Sequence, residues 1–387
     1  MKHITLISLL LLSQTVRSQT DSLPLFRYHL SGYIKALPSL TFDHIANDTY
    51  GLYILHNRIN QKLEIGEQTT VRLEMRNRVF TGDYISLIPG YADLLETDKG
   101  LVDLTFNWLE EDELIGNSTF DRAQVDWYGG KWEVTLGRQR INWGVHTVWN
   151  PNDWFNSFNF LDFDYVERPG SDAVRVQYNL GNSRKLELAV APGKLANDDV
   201  AALRYGFHLK TYDIQLLGGL YKDNIAAGLG FAGNLGNAGW KGELSWFRPY
   251  DSFTDTSGRI SLTTGFDYIF SNGIFAQVGW LYNKVTDAPL SAGTFIYTSD
   301  ARQLIPFEHT VMVMASYAFN PLLNANAAIL WEPEHNSLIV FPTLAYSLGD
   351  NLVASAILQL YAGEVLDTYQ VASTSVFVDV KWNWRVK

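Results

Sequence analysis

Basic residues recur at even spacings along this chain. Arg58 and Lys62 form one group, Arg72, Arg76 and Arg78 a second, and Arg138 and Arg140 a third, with Arg175 further on. In an extended chain successive side chains point to opposite faces, so residues at even spacing share one face. Ile59, Leu63 and Ile65, and then Val71, Leu73, Met75 and Val79, fill the alternate positions. Glu64, Glu74, Asp126, Glu133 and Glu187 fall on the basic faces. The chemistry on offer is therefore electrostatic. One form is a row of cations that draws anions along it; the other is a mesh of cross-strand ion pairs.

Other chemistries lack their residues. The chain has no cysteine, which removes disulfides, thiolate nucleophiles and cysteine-based metal sites. The eight histidines show no H-E-x-x-H or comparable ligand spacing, and no G-x-S-x-G elbow occurs. Gly228-Leu229-Gly230-Phe231-Ala232-Gly233 matches G-x-G-x-x-G, but that motif needs a following helix N-terminus to receive a pyrophosphate. Here a second turn cluster, Asn234 to Gly239, and a strand-like run from Trp240 follow. Glycine in such a strand is read as accommodating curvature. A net charge of −11 disfavours nucleic acid as a partner. The reading is a protein that is not an enzyme, with no catalytic set, no metal and no cofactor.

The elements that carry these residues follow one period, two, from end to end. Near the C-terminus Val376, Val378, Val380, Trp382 and Trp384 alternate with Phe377, Asp379, Lys381 and Asn383. Strand candidates run to about 9–12 residues, the length a tilted strand needs to cross a bilayer, against about 5–6 in soluble proteins. Short turns such as 128–130, 181–183, 271–273, 320–321 and 349–351 alternate with long loops at 43–51, 81–100, 144–171, 192–201, 248–259, 285–308 and 363–372. The chain holds 12 Trp, 20 Tyr and 21 Phe, many at strand ends, as at Trp127-Tyr128, Trp132, Trp240 and Trp382, where interfacial girdles would place them.

This pattern predicts an all-β fold, a transmembrane antiparallel up-and-down β-barrel of about 18 strands within a range of 16–20. Both termini then lie on the short-turn side. The strand-like run from Leu101 to Trp108 breaks the parity and is assigned to an excursion over 81–119 that plugs the lumen or folds over its mouth. An arginine facing lipid at mid-bilayer costs about 2–4 kcal/mol, so Arg58, Lys62, Arg72, Arg76, Arg78, Arg138, Arg140 and Arg175 are expected to line the lumen. Lys2 and His3, then the apolar run Ile4 to Leu12, then small residues up to Ser18 read as a signal peptide over 1–18. That run is too short to span a bilayer as a helix. Residues 19–387 make one barrel.

The most distinctive stretch reads Gly137-Arg138-Gln139-Arg140-Ile141-Asn142-Trp143-Gly144, then Trp149-Asn150-Pro151-Asn152-Asp153, then Glu167-Arg168-Pro169-Gly170-Ser171-Asp172-Ala173-Val174-Arg175. It resembles a block that recurs in porin-like outer-membrane families of Gram-negative bacteria, among them Bacteroidota members and alginate-export-like proteins. The resemblance implies a monomeric or weakly oligomeric channel whose loop 144–171 folds inward to narrow the pore. Trp149, Asp153, Trp154, Asp162, Glu167 and Arg168 are the constriction residues, with Trp149, Trp154 and Arg168 expected to line the passage and most other aromatics to pack. The function expected is diffusion of small hydrophilic solutes, anionic or sugar-like, across the cell outer membrane. The partners are then outer-membrane lipid, lipopolysaccharide and the solute. The alternative is a plugged barrel that anchors an outer-membrane or surface-polysaccharide complex.

Overall fold

Alternation along each strand sets which residues face in. On the strand Tyr212–Tyr221, Gln215 and Leu217 are 3% and 7% exposed, while Leu216 between them is 47% exposed. The same alternation marks Thr135 against Leu136 and Glu187 against Leu188. The outer face is almost wholly apolar while polar and small side chains gather on the inner face, the signature of a wall that stands in lipid.

The computed structural model describes residues 25–157, 167–195, 197–254, 258–284, 299–365 and 368–386. The signal-peptide expectation for 1–18 and the candidate Asp162 lie outside the described residues. The strands are β1 (Phe26–Asp43), β2 (Asp48–Ile65), β3 (Thr69–Thr81), β4 (Thr105–Glu111), β5 (Leu114–Gly129), β6 (Trp132–Gln139) and β7 (Ser171–Gly181). They continue as β8 (Arg184–Ala191), β9 (Val200–Leu209), β10 (Tyr212–Tyr221), β11 (Asn224–Leu235), β12 (Ala238–Pro249) and β13 (Arg259–Ile269). The last are β14 (Phe275–Asn283), β15 (His309–Ala318), β16 (Leu323–Glu332), β17 (Ser337–Gly349), β18 (Leu352–Val365) and β19 (Thr368–Val386).

Every pairing is antiparallel, and β1 pairs both β2 and β19, which closes the ring. Eighteen of these strands form the ring, the number expected from the sequence; β4 stands outside the count. Tight turns join strands at the end that carries both termini. Asn182 and Ser183 adopt φ of 51° and 60° there, as a two-residue turn matched to strand twist requires. The loop expected at 363–372 is largely strand, because β18 runs to Val365 and β19 starts at Thr368.

The 81–119 excursion departs from its expectation. The Leu101–Trp108 run supplies β4, which pairs with Leu114–Thr119 of β5 as part of the wall. The reason lies in β6, which pairs β5 only from Ala123 to Gly129 and ends at Gln139. The upper edge of β5 would otherwise be open, and β4 satisfies it. A short helix α1 (Tyr91–Glu96) lies inside the mouth. There Tyr91, Ala92 and Leu95 pack on inward-facing Leu37, Ile54, Phe80 and Ile115.

Candidate pore constriction

Beyond Gln139 the chain leaves the wall and enters the lumen, and one side chain holds it there. Glu243 on β12, 2% exposed, accepts the backbone N–H groups of Val145 at 2.5 Å, His146 at 2.6 Å and Asn152 at 2.9 Å. A carboxylate receiving several N–H groups in a dry site forms strong, charge-assisted bonds. Ser245, two residues on and on the same face, accepts the Trp154 indole N–H at 2.9 Å and donates to the Pro151 carbonyl. Gln215 on β10 donates to the Trp143 carbonyl, and the Trp143 indole N–H reaches Glu187 on β8 at 2.7 Å.

Apolar contacts complete the attachment. Ile141, Trp143 and Trp154 pack with Ala189, Ala202, Leu217, Tyr221, Ala226 and Phe247 from the inner faces of β8 to β12. Val148 and Trp149 join a second cluster with Leu281, Met312, Leu330 and Phe341. A second inward segment supplies Leu304, Ile305 and Phe307 to that cluster, held by Asn283, which donates to the Phe307 carbonyl and accepts the Leu304 N–H. The glycines of the G-x-G-x-x-G match find their use here. A Cβ on Gly228 would come within 2.8 Å of Asn152, and one on Gly230 within 2.9 Å of the same side chain. Bare backbone at those two positions makes the groove that seats the loop.

The opposite arc of the lumen, β1 to β7, carries a mesh of charged side chains. Arg58, 2% exposed, bonds Asp121 and Glu74, the latter at 2.7 Å, and stands 3.9 Å from Glu167. Arg76 lies 4.0 Å from Asp121, and Arg78 donates to Asn117 at 3.1 Å. Towards the termini end, Lys62 pairs with Glu64 at 2.6 Å and Arg72 with Asp126 at 2.9 Å. Arg175 on β7 lies 3.4 Å from Glu133. The returning limb of the loop crosses to this arc. Glu167 accepts the Tyr33 hydroxyl at 2.9 Å, and the Arg168 carbonyl accepts Arg122.

Arg138 does not join that group. It follows outward-facing Leu136 by two residues and fills the seam between the end of β6 and the start of β4. Its guanidinium bonds Asp98 at 2.7 Å, Asp172 at 2.7 Å and the Val102 carbonyl. Gly137, at φ 108°, turns the strand just before it.

Among the loop candidates, Trp149 and Trp154 are 3% and 2% exposed, so both pack against the wall. Asp153 and Arg168 face each other at 3.8 Å, joining the inbound and returning limbs. Burial pushes the Asp153 carboxyl up to about 6, against the pull of Arg168 and Arg140. Burial, reinforced by Lys241, lowers His146 to about 4. Sequence reasoning missed Glu243, Gln215 and Ser245. Each sits on an inward face where a polar residue is ordinary, so alternation gave no reason to single them out. The paired glycines at 228 and 230 were the one usable signal, since they mark close approach of another chain segment.

No protein-family model matches the sequence, and no curated protein matches it. Solved structures do match. OccAB4 of Acinetobacter baumannii superposes with a TM-score of 0.58 at 12% identity, over 93% of this chain and 98% of that one. OccK5 (OpdH) of Pseudomonas aeruginosa gives 0.59 at 9% identity, over 92% and 98%. The outer membrane protein OprD of the same organism gives 0.60 at 7% identity, over 93% and 94%. Identities this low carry the architecture and nothing finer. The chain has the closed eighteen-strand barrel fold of the outer membrane protein OprD and of the Occ structures.

Proposed function

We propose that this chain is an outer-membrane channel for small hydrophilic solutes, narrowed by loop 144–171 and biased toward anions by its lumenal cations. The observation that carries the reading is the loop held inside the barrel by Glu243. A barrel wall needs no such segment, and a long loop folded inward is the usual means of setting a pore's cross-section. Arg58, Lys62, Arg72, Arg76, Arg78, Arg140 and Arg175 are the candidates for the bias. Several of them are matched by acids, so the field along the passage is the residue of a mesh. Asp153, Glu167 and Arg168 set the charge of the loop itself. Export follows removal of residues 1–18, which intact-mass measurement of the chain recovered from outer membranes checks. Lipopolysaccharide is the lipid expected against the outer leaflet.

The test is single-channel recording of the refolded mature chain in a planar bilayer under a salt gradient. Steady ohmic steps with a reversal potential shifted toward anions support the reading. A folded but silent protein would move the alternative to first place, a closed barrel anchoring a surface complex. That alternative draws on α1, which lies within the mouth.

A further inference from the structure

We propose that Asp153 determines the ion selectivity of the constriction, and that its protonation switches the passage further toward anions. This rests on the channel reading and deepens it by naming the charge that decides. Asp153 is 1% exposed, with the guanidinium of Arg168 at 3.8 Å on the returning limb and that of Arg140, at the start of the loop, in electrostatic reach. The trio carries one net positive charge when the carboxyl is ionised and two when it is neutral. Among the described residues no side chain donates a hydrogen bond to the Asp153 carboxylate. A buried acid so placed gives up its charge more readily than one held by several donors.

Water has room to deliver the proton. A cavity of about 10 Å³ lies against Asp153, bounded by Val148, Trp149, Asn150, Ser157 and Leu304, which is space for about one water molecule. Other charged groups face the loop. Glu243 on β12 is a second buried acid against the same loop, bonded by three N–H donors, and Glu243→Gln is recorded beside Asp153→Asn to separate the two. Lys241 on β12 pairs with Asp267 on β13 at 3.1 Å. His146 is neutral down to about 4 because it is buried. Glu187 on β8 pairs with Arg204 on β9. Within the loop itself, Asp153 is the acid whose charge changes near pH 6.

The sign of the coupling is fixed. A carboxyl raised above its free value of about 3.9 favours the docked loop when protonated. Acidification thus holds the loop in place while it frees the two guanidiniums, and that contribution to docking is lost as the pH rises through about 6.

Reversal potentials should be recorded for the wild type and Asp153→Asn in planar bilayers from about pH 7.5 to about pH 5. The wild-type anion-to-cation permeability ratio is expected to rise roughly two- to threefold on acidification, and Asp153→Asn to lose most of that rise, more than Glu243→Gln loses. Should the Asp153→Asn variant fail to fold, Arg168→Gln substitutes for it: without the pull of Arg168 the midpoint of the shift should move to higher pH, and an unmoved midpoint would count against Asp153. A second arm follows hydrogen exchange of peptides covering 141–157, corrected for intrinsic rates. Protection should rise on acidification in the wild type and already be high in Asp153→Asn at about pH 7.5. Conducting channels whose Asp153→Asn variant keeps the full wild-type shift would overturn the selectivity claim alone. Silent bilayers from folded protein would overturn the channel reading and the selectivity claim together, with the exchange arm reporting separately whether Asp153 titrates.

Discussion

The Glu243 carboxylate and the backbone N–H of Asn152 meet at 2.9 Å across 91 residues of sequence. That one contact joins the wall at β12 to the tip of a loop that starts at β6. Replacing Glu243 with Gln keeps the shape, but the amide presents one oxygen where two acidic oxygens stood. At least one buried N–H then loses its acceptor, at a cost of about 1–3 kcal/mol. The expected result is faster hydrogen exchange over 141–157 and noisier, larger conductance, with the barrel still resistant to detergent. Unchanged exchange over those peptides would remove Glu243 from its role.

Gly230 offers a steric test of the same seat. A Cβ there would meet Gln215 at 2.7 Å and Asn152 at 2.9 Å. Gly230→Val should displace the loop from its groove and widen the passage, while β-propensity on β11 improves. Conductance should increase severalfold, to be measured in planar bilayers beside Gly206→Val. A Cβ on Gly206 comes only within 3.9 Å of a backbone oxygen, so that variant is the control.

Arg58 and Asp121 form a buried ion pair, with side-chain exposures of 2% and 0%. Removing one partner of such a pair strands the other and costs about 3–5 kcal/mol, whereas replacing both is far milder. Arg58→Met should lower the denaturant midpoint of the folded barrel markedly. Adding Asp121→Leu should restore much of it. Equal loss in the single and double variants would show that Glu74 and Glu167, or Arg76 deprived of Asp121, carry the destabilisation instead.

Arg138 and Arg140 are separated by one residue and should behave as unrelated positions. Arg138→Gln leaves Asp98 and Asp172 without their shared cation. It should loosen residues 98–105, seen as faster exchange there, with little change in reversal potential. Arg140→Gln should weaken anion selectivity and leave that seam intact. Matching selectivity losses in both variants would contradict the placement of Arg138.

Fold class, strand number and the position of the termini were all legible in the sequence, because period-two alternation is a local property that each strand states for itself. The inward course of the block around Trp143 and Asp153 followed from a resemblance and not from physics. What stayed hidden was relational. Glu243, Ser245 and Gln215 are inward-facing polar residues like many others, and only the arrival of a distant loop gives them work. Arg138 was misplaced for a related reason. The cost of an arginine in lipid put it in the lumen although it shares the parity of outward-facing Leu136; β6 is ending there, and the charge turns to a segment 40 residues upstream. Leu101 to Trp108 looked like a surplus strand because nothing local reveals that β6 stops short of the rim.

The substitution of β4 for the upper part of β6 separates the vessel from its fitting. The ring closes through β5, β6 and β7 below the loop, and the rim is extended by β4, which pairs with β5 within residues 105–119, all of them before the inward loop in the chain. Residues 140–170 can therefore lengthen, shorten or change in composition without opening a gap in the hydrogen-bonded ring. A barrel organised this way can be given new passages while its container stays the same.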